Sequence, residues 1–284
     1  MIELSIMERA KILVEALPYI KKFKERILVI KCGGKILNSE QVKKNLAIDI
    51  VLLWHVGIKP ILVHGGGVQV NELLEKLGKK SKFEKGVRKT DEETLSVVEM
   101  VLGRINKELV SLINLAGGRA VGLSGKDDNM IQVEKAGEEM GWVGEIKEVK
   151  PDLLRLLDEK GFIPVLSPLG VDREGKGYNI NADMVAGKIA SYLKAVKLII
   201  LTDTPGILKD PHDPSSLISS LNVEELKKLV EEGSIVGGML PKVEASCMAL
   251  EGGVEKVHII DGNIPHGILL EVFTDKGVGT EIVS

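Results

Sequence analysis

Short runs of Val, Ile and Leu recur along this 284-residue chain, and longer segments with a different apolar rhythm separate them. The runs fall at residues 27–30, 60–63, 120–123, 163–166, 198–201 and 257–260. A run that is apolar at every position, rather than at alternate ones, reads as a strand buried on both faces. Segments 42–54, 95–115, 185–193 and 243–250 instead space their apolar residues as a helix does. Strands alternating with helices pair in parallel and carry helices on both faces. The predicted fold is therefore α/β, a three-layer α/β/α sandwich around a mainly parallel, open central sheet.

Composition narrows the function. Hydrophobic residues make up 44% and charged residues 28%, ordinary values for a soluble chain. The 38 basic residues are nearly matched by 41 acidic ones and are scattered, so no footprint for a nucleic-acid backbone stands out. Cys32 and Cys247 lack the spacing of a zinc site or a disulfide scaffold and read as small buried residues in a reducing compartment. Glu3, Glu8 and Glu15 interrupt the N-terminal apolar residues, unlike a secretory signal, and no uncharged apolar run approaches the ~20 residues that span a bilayer. The expectation is a cytoplasmic protein with no membrane or nucleic-acid partner.

In a parallel sheet the ligand crevice lies beyond the carboxyl ends of the strands. The unusual residues collect there: Lys31-Cys32-Gly33-Gly34 after the first run, His64-Gly65-Gly66-Gly67 after the second, Ser124-Gly125-Lys126-Asp127 after the third, and Thr202-Asp203-Thr204-Pro205-Gly206 after the fifth. Glycines between a strand and a helix let backbone amides approach an anion beside the positive end of a helix dipole, although each set alone reads equally as a tight turn. Neither the GxxxxGK[ST] loop nor the GxGxxG fingerprint is present. Lys31 would be costly to bury without a partner. Lys242 opens a helix after Pro241 and, by itself, reads as a solvated first-turn lysine; Asp183 reads as a helix cap, Asn179 and Asn181 as turn formers, and Arg88 as a surface arginine.

Residues 130–146 and 168–178 read as hairpin excursions, the first able to cover a substrate, and a lobe boundary near 170–177 would divide the chain into 25–170 and 171–284. Residues 1–24 precede the alternation as an amphipathic helix, with Ile2, Ile6, Ile12, Leu13 and Leu17 apolar and Pro18 near its end. With no sheet to cover, it either docks on its own body or exchanges with a neighbouring subunit.

Taken in order, KCGG (31–34), VHGGG (63–67), GVRKTD (86–91), GLSGKD (122–127), YNINAD (178–183), LTDTPGIL (201–208), GGMLPKVEA (237–245) and HIIDGNIPH (258–266) resemble the amino acid kinase family over essentially the whole chain. Within it they resemble the branch that acts on N-acetyl-L-glutamate. The resemblance implies ATP-dependent phosphorylation of that acceptor's side-chain carboxylate, in arginine biosynthesis, with Mg²⁺ carried by the ATP phosphates rather than by a protein metal site. It implies that Lys31 and Lys242 flank the transferring phosphoryl group, that Asp183 positions both, and that Gly33, Gly34, Gly65, Gly66 and Gly67 donate amides. Arg88, Asn179 and Asn181 would hold the acyl amino acid; Thr202, Asp203 and Gly206 would lie along the nucleotide. Lobe 25–170 would then bind the acyl amino acid and dimerise, and lobe 171–284 would bind the nucleotide.

Family members with an extra N-terminal helix are hexamers, trimers of dimers, inhibited by arginine. The resemblance extends that expectation to Tyr19, Lys197, Glu271 and Gly277 as an arginine pocket, while a regulatory protein partner stays unknown. Thr204 stands where the family more often has valine, and Asp128-Asn129 where it often has two glycines; neither position carries the chemistry. Two other readings stay open. One is a different acceptor, as in glutamate 5-kinase, aspartokinase or carbamate kinase; the other is an idle arginine or nucleotide sensor.

Overall fold

A computed structural model describes residues 5–84, 86–210 and 213–284. The chain opens with α1 (Ile6–Glu15) and α2 (Leu17–Phe23), then enters β1 (Ile27–Cys32), α3 (Glu40–His55), β2 (Lys59–His64) and α4 (Gly67–Lys76). A two-stranded hairpin, β3 (Phe83–Glu84) and β4 (Val87–Arg88), precedes the long α5 (Glu92–Leu115) and β5 (Ala120–Ser124). Next come β6 (Ile131–Lys135), β7 (Gly144–Val149), α6 (Asp152–Glu159), β8 (Ile163–Ser167), β9 (Leu169–Val171) and β10 (Gly177–Asn179). The second half adds α7 (Ala182–Leu193), β11 (Lys197–Thr202), β12 (Ser220–Asn222), α8 (Val223–Glu231), α9 (Leu240–Glu251), β13 (Lys256–Asp261), α10 (Gly267–Phe273) and β14 (Thr280–Val283).

All six apolar runs enter one eight-stranded sheet, in the order β12-β14-β13-β11-β1-β2-β8-β5. Its pairings are parallel except β13 with β14. Leu28, Ile30 and Cys32 of β1 point into a core shared with α3, α4 and α5, whereas Val29 points into the opposite core, with α7, α8 and α9. A central strand buried on both faces explains the unbroken apolar run. The edge strand β12 and its neighbour β14 are only three and four residues long, and periodicity did not reveal them.

The chain leaves β1 toward β2 on one side and returns to β1's other edge only with β11. Strand β1 is thus where the winding direction changes, and a crevice opens beyond its carboxyl end. The two excursions pair as antiparallel hairpins, β6 with β7 and β9 with β10, and join in a four-stranded minor sheet. Residues 170–177 coincide with the β9–β10 hairpin, and the main sheet draws strands from both sides of it. Asp128 and Asn129 take left-handed φ of 54° and 48°, a conformation for which glycine is the default and Asp or Asn the common substitute.

At the N-terminus, Ile2 and its neighbours 1–4 lie outside the described residues. Pro18 starts a second helix instead of closing the first, because its missing donor is harmless in a first turn. Ser5 and Glu8 form a reciprocal capping box on α1. Phe23 of α2 is buried in the core, but Met7, Leu13 and Val14 of α1 remain 75%, 76% and 67% exposed. The described side chains of α1 therefore do not pack on the body of their own chain. No helix among the described residues is long and apolar enough to cross a membrane. Cys32 is buried, its thiol pushed up to about 12 by burial, whereas Cys247 is only half-buried, contrary to expectation.

Candidate active site

Three elements meet beyond the end of β1. Lys31 is the penultimate residue of β1, Asp183 is in the first turn of α7, and Lys242 is in the first turn of α9. Asn181, not Asp183, caps α7: its side-chain oxygen accepts from the amides of Asp183 (2.8 Å) and Met184 (3.3 Å). That leaves the Asp183 carboxylate to turn inward, where Lys31 Nζ lies 2.7 Å from Oδ1 and Lys242 Nζ 3.3 Å from Oδ2. Close packing of α7 on α9 holds this register, since a Cβ on Gly187 would sit 2.7 Å from the Ala245 carbonyl oxygen.

Burial by itself would push the Asp183 carboxyl up; the charges of Lys31 and Lys242 outweigh it and hold the group below the ordinary carboxylate range. Burial, then repulsion from Lys31, lowers Lys242, and the attraction of Asp183 works against both. Lys242 also donates to the Gly238 carbonyl (3.2 Å), so it is not a solvated first-turn lysine.

The glycine loops at the tips of β1 and β2 interlock. A Cβ on Gly34 would lie 2.9 Å from the Gly67 nitrogen, and one on Gly66 would lie 2.8 Å from Leu102 and Ile105 side-chain atoms. The Gly65 amide donates to the Cys32 carbonyl at 2.8 Å, so it is engaged within the protein and the expectation of three amide donors here is corrected. Gly67 begins α4, where the first-turn amides have no helical acceptor. Buried His64, kept neutral with its pKa pushed down to about 4 by burial, accepts from Asn106 Nδ2 (3.2 Å) and donates through Nδ1 to the Gly65 carbonyl (3.1 Å).

Two cavities flank the lysine–aspartate cluster. One, of about 230 Å³, is lined by Lys31, Gly34, Gly65, Gly66, Gly67, Arg88, Asn179, Asn181 and Asp183. Arg88 is buried, donating to Asn71 (2.6 Å), Ser81 and the Gly67 carbonyl (2.9 Å) while its guanidinium lies 4.8 Å over the Phe83 ring. The surface-arginine reading is thereby excluded. Asn179 donates to Thr90 at 3.2 Å. The other cavity, of about 470 Å³, is lined by Lys35, Thr202, Asp203, Gly206 and Lys242 with the apolar Ile207, Ile235, Val236 and Met239. Gly33 lines neither; a Cβ there would be 3.6 Å from Lys31 Nζ. Lys242 of the second cavity touches Asp183 of the first, so the cavities meet at this cluster.

Residues 26–261 match the model of the amino acid kinase family. The chain belongs to the amino acid kinase family. It is 52% identical to the acetylglutamate kinase of Heliobacterium modesticaldum, with 99% of each chain covered. Among solved structures it is similar to the N-acetylglutamate synthase of Neisseria gonorrhoeae complexed with coenzyme A and N-acetyl-glutamate, at TM-score 0.86 and 28% identity over 97% of this chain. The same synthase complexed with coenzyme A and L-arginine gives TM-score 0.83 at 27% identity over 96% of this chain. The chain spans 63% and 65% of the length of those synthase chains. As expected of an amino acid kinase, the sheet is mainly parallel with helices on both faces.

Away from the cluster, Tyr19, Lys197, Glu271 and Gly277 line a third cavity, of about 580 Å³, below α2 and α10. Tyr19 donates to Asp275, and His258 Nδ1 lies 2.6 Å from Glu271 Oε1. A Cβ on Gly277 would lie 2.8 Å from Glu271 Oε2, so only glycine leaves that carboxylate its place. Burial pushes the Lys197 ammonium down from its ordinary value. Sequence reasoning missed Asn71 and Ser81, which hold Arg88, and Gln69, which donates to the Gly34 carbonyl (2.8 Å). Each is an ordinary polar residue whose signal exists only in its spatial partner. Among the described residues, no group of three or more His, Cys, Asp or Glu side chains is placed to hold a metal ion.

Because Asp183's folded pKa is below its unfolded value near ~3.9, its stabilisation is full above that value and is lost as pH falls through the folded pKa. Asp183→Asn should flatten the stability profile below about pH 4 relative to the parent. Urea titrations across pH 2 to ~6 check this, and parallel profiles would refute the lowered carboxyl.

Proposed function

We propose that this chain is an acetylglutamate kinase, a phosphotransferase that moves the γ-phosphoryl group of ATP to the side-chain carboxylate of N-acetyl-L-glutamate in arginine biosynthesis. The observation that carries this reading is the junction, at Lys31, Asp183 and Lys242, of a small cavity that presents Arg88, Asn179 and Asn181 and a larger one that presents Thr202, Asp203 and Gly206. The small cavity takes the acyl amino acid, with Arg88 matched to a carboxylate and Asn179 and Asn181 to its polar groups. The larger takes the nucleotide along Thr202, Asp203 and Gly206, and Mg²⁺ enters on the ATP phosphates as part of the substrate. The two halves of the chain, 25–170 and 171–284, divide these tasks. The site of action is the cytoplasm.

The acceptor carboxylate, with a reference pKa near ~4.3, is ionised at neutral pH and attacks without losing a proton, so no general base is needed. Asp183 is unsuited to be one, since both its oxygens face ammonium groups. Its part is to aim the two lysines. The obstacle is charge: an anion must approach a polyanion, and cations and amides already in position relieve the repulsion without reorganising. Lys31 and Lys242 flank the migrating phosphoryl group, with the loop glycines Gly34, Gly66 and Gly67 of the smaller cavity beside it. Removing one such stabilising group typically costs ~10²–10³ in rate, so Lys242→Ala should lower kcat at least about 100-fold with modest change in nucleotide affinity. Steady-state ADP release measures it, and near-normal turnover would remove Lys242 from the chemistry. In the same assay Arg88→Ala should chiefly raise the KM for N-acetylglutamate, and glutamate, aspartate or carbamate as acceptors would reveal a different family member.

The third cavity is our candidate arginine site, and α1 our candidate device for linking dimers into a hexamer. Support comes from Glu271, which burial would raise but which its bond to His258 holds below the ordinary range, keeping an anion for a guanidinium. The exposed Met7, Leu13 and Val14 on α1 are the apolar surface such linkage would cover. Deleting the residues before Lys24 should halve or further reduce the native mass and abolish arginine inhibition. A truncated protein that stays hexameric and inhibited by arginine ends the idea.

A further inference from the structure

We propose that Lys35 is a third phosphate-facing cation of the nucleotide cavity, held in readiness by Asp203; the inference rests on the nucleotide reading above. Lys35 follows Gly34 at the tip of β1, and Asp203 follows the last residue of β11, the strand paired with β1. Their ion pair, 2.5 Å from Nζ to Oδ2, bridges the mouth between the two strand ends. Both side chains line the same cavity as Lys242, and the Asp203 charge also acts on Lys242, so the aspartate has a lysine on either hand.

The pair differs in kind from the buried cluster beside it. Lys35 is 70% exposed and Asp203 40%, against 5% for Lys31. An exposed pair of this sort contributes little to folding and exchanges partners readily, because water screens it and the lysine stem is flexible. Charge counting favours the exchange. Lys31 and Lys242 share the single negative charge of Asp183, and Lys35 is offset by Asp203, leaving one net positive charge for a nucleotide that brings several negative ones. A phosphate oxygen offers Lys35 a stronger, more highly charged acceptor than a solvated carboxylate. Asp203 keeps the lysine over the cavity until the nucleotide arrives, so little ordering remains to be done at binding.

The test compares the parent, Lys35→Met and Lys35→Arg, measuring KM for each substrate and the affinity for ADP and for adenosine. Lys35→Met should raise the KM for ATP and weaken ADP about tenfold, the size expected for one lost charged contact, with adenosine affinity and the KM for N-acetylglutamate unchanged. Lys35→Arg should recover most of the loss. Equal weakening of ADP and adenosine, or a fall in melting temperature with no change in KM for ATP, would overturn the inference and leave Lys35 a structural clasp. If the parent itself binds neither ADP nor ATP, the nucleotide reading falls and takes this inference with it.

Discussion

One carboxylate between two ammonium groups governs how this molecule is put together. Asp183 is buried, as is Lys31, and Lys242 is nearly so. Two lysines that share one carboxylate repel one another, and each loses hydration on burial. Asp183 offsets both penalties only if three distant segments arrive together: the end of β1, the start of α7 and the start of α9. The close approach at Gly187 and the capping of α7 by Asn181 serve that meeting. Stability alone would favour apolar residues here. The cluster opens onto both cavities, at the point where they meet.

Around the cluster, the glycine loops illustrate how a motif's apparent purpose divides on inspection. Gly66 is glycine because Leu102 and Ile105 occupy the space of a side chain, and Gly34 because the backbone of the neighbouring loop does. Gly65 gives its amide to Cys32. The loops are held further by Gln69 and by the chain of contacts from Asn106 through His64.

The periphery follows a different logic. Helix α2 buries Phe23 in the body and lines the cavity that holds Glu271 through Tyr19 and Lys22, while α1 presents apolar side chains to solvent. An amphipathic helix without a partner in its own chain carries unsatisfied apolar surface.

Sequence alone was enough for the strands β1, β2, β5, β8, β11 and β13 and for the helices α3, α5, α7 and α9, because burial of a strand leaves an uninterrupted apolar signature, and of one helix face a periodic one, that need no partner to interpret. It also carried the family, through eight ordered motifs, and with the family the reading of Lys31, Asp183 and Lys242 as one unit. Taken singly, those residues looked like a strand-end lysine, a cap and a solvated lysine, and only the folded chain separates Asn181 as the cap from Asp183 as the bridge. The same holds for Arg88, whose burial against Asn71, Ser81 and Phe83 has no local signature, and for the Lys35–Asp203 pair, whose members are 168 residues apart. Burial periodicity is written in neighbours along the chain, whereas charge pairing and cavity shape depend on neighbours in space, and those exist only after the sheet has brought its strand tips together.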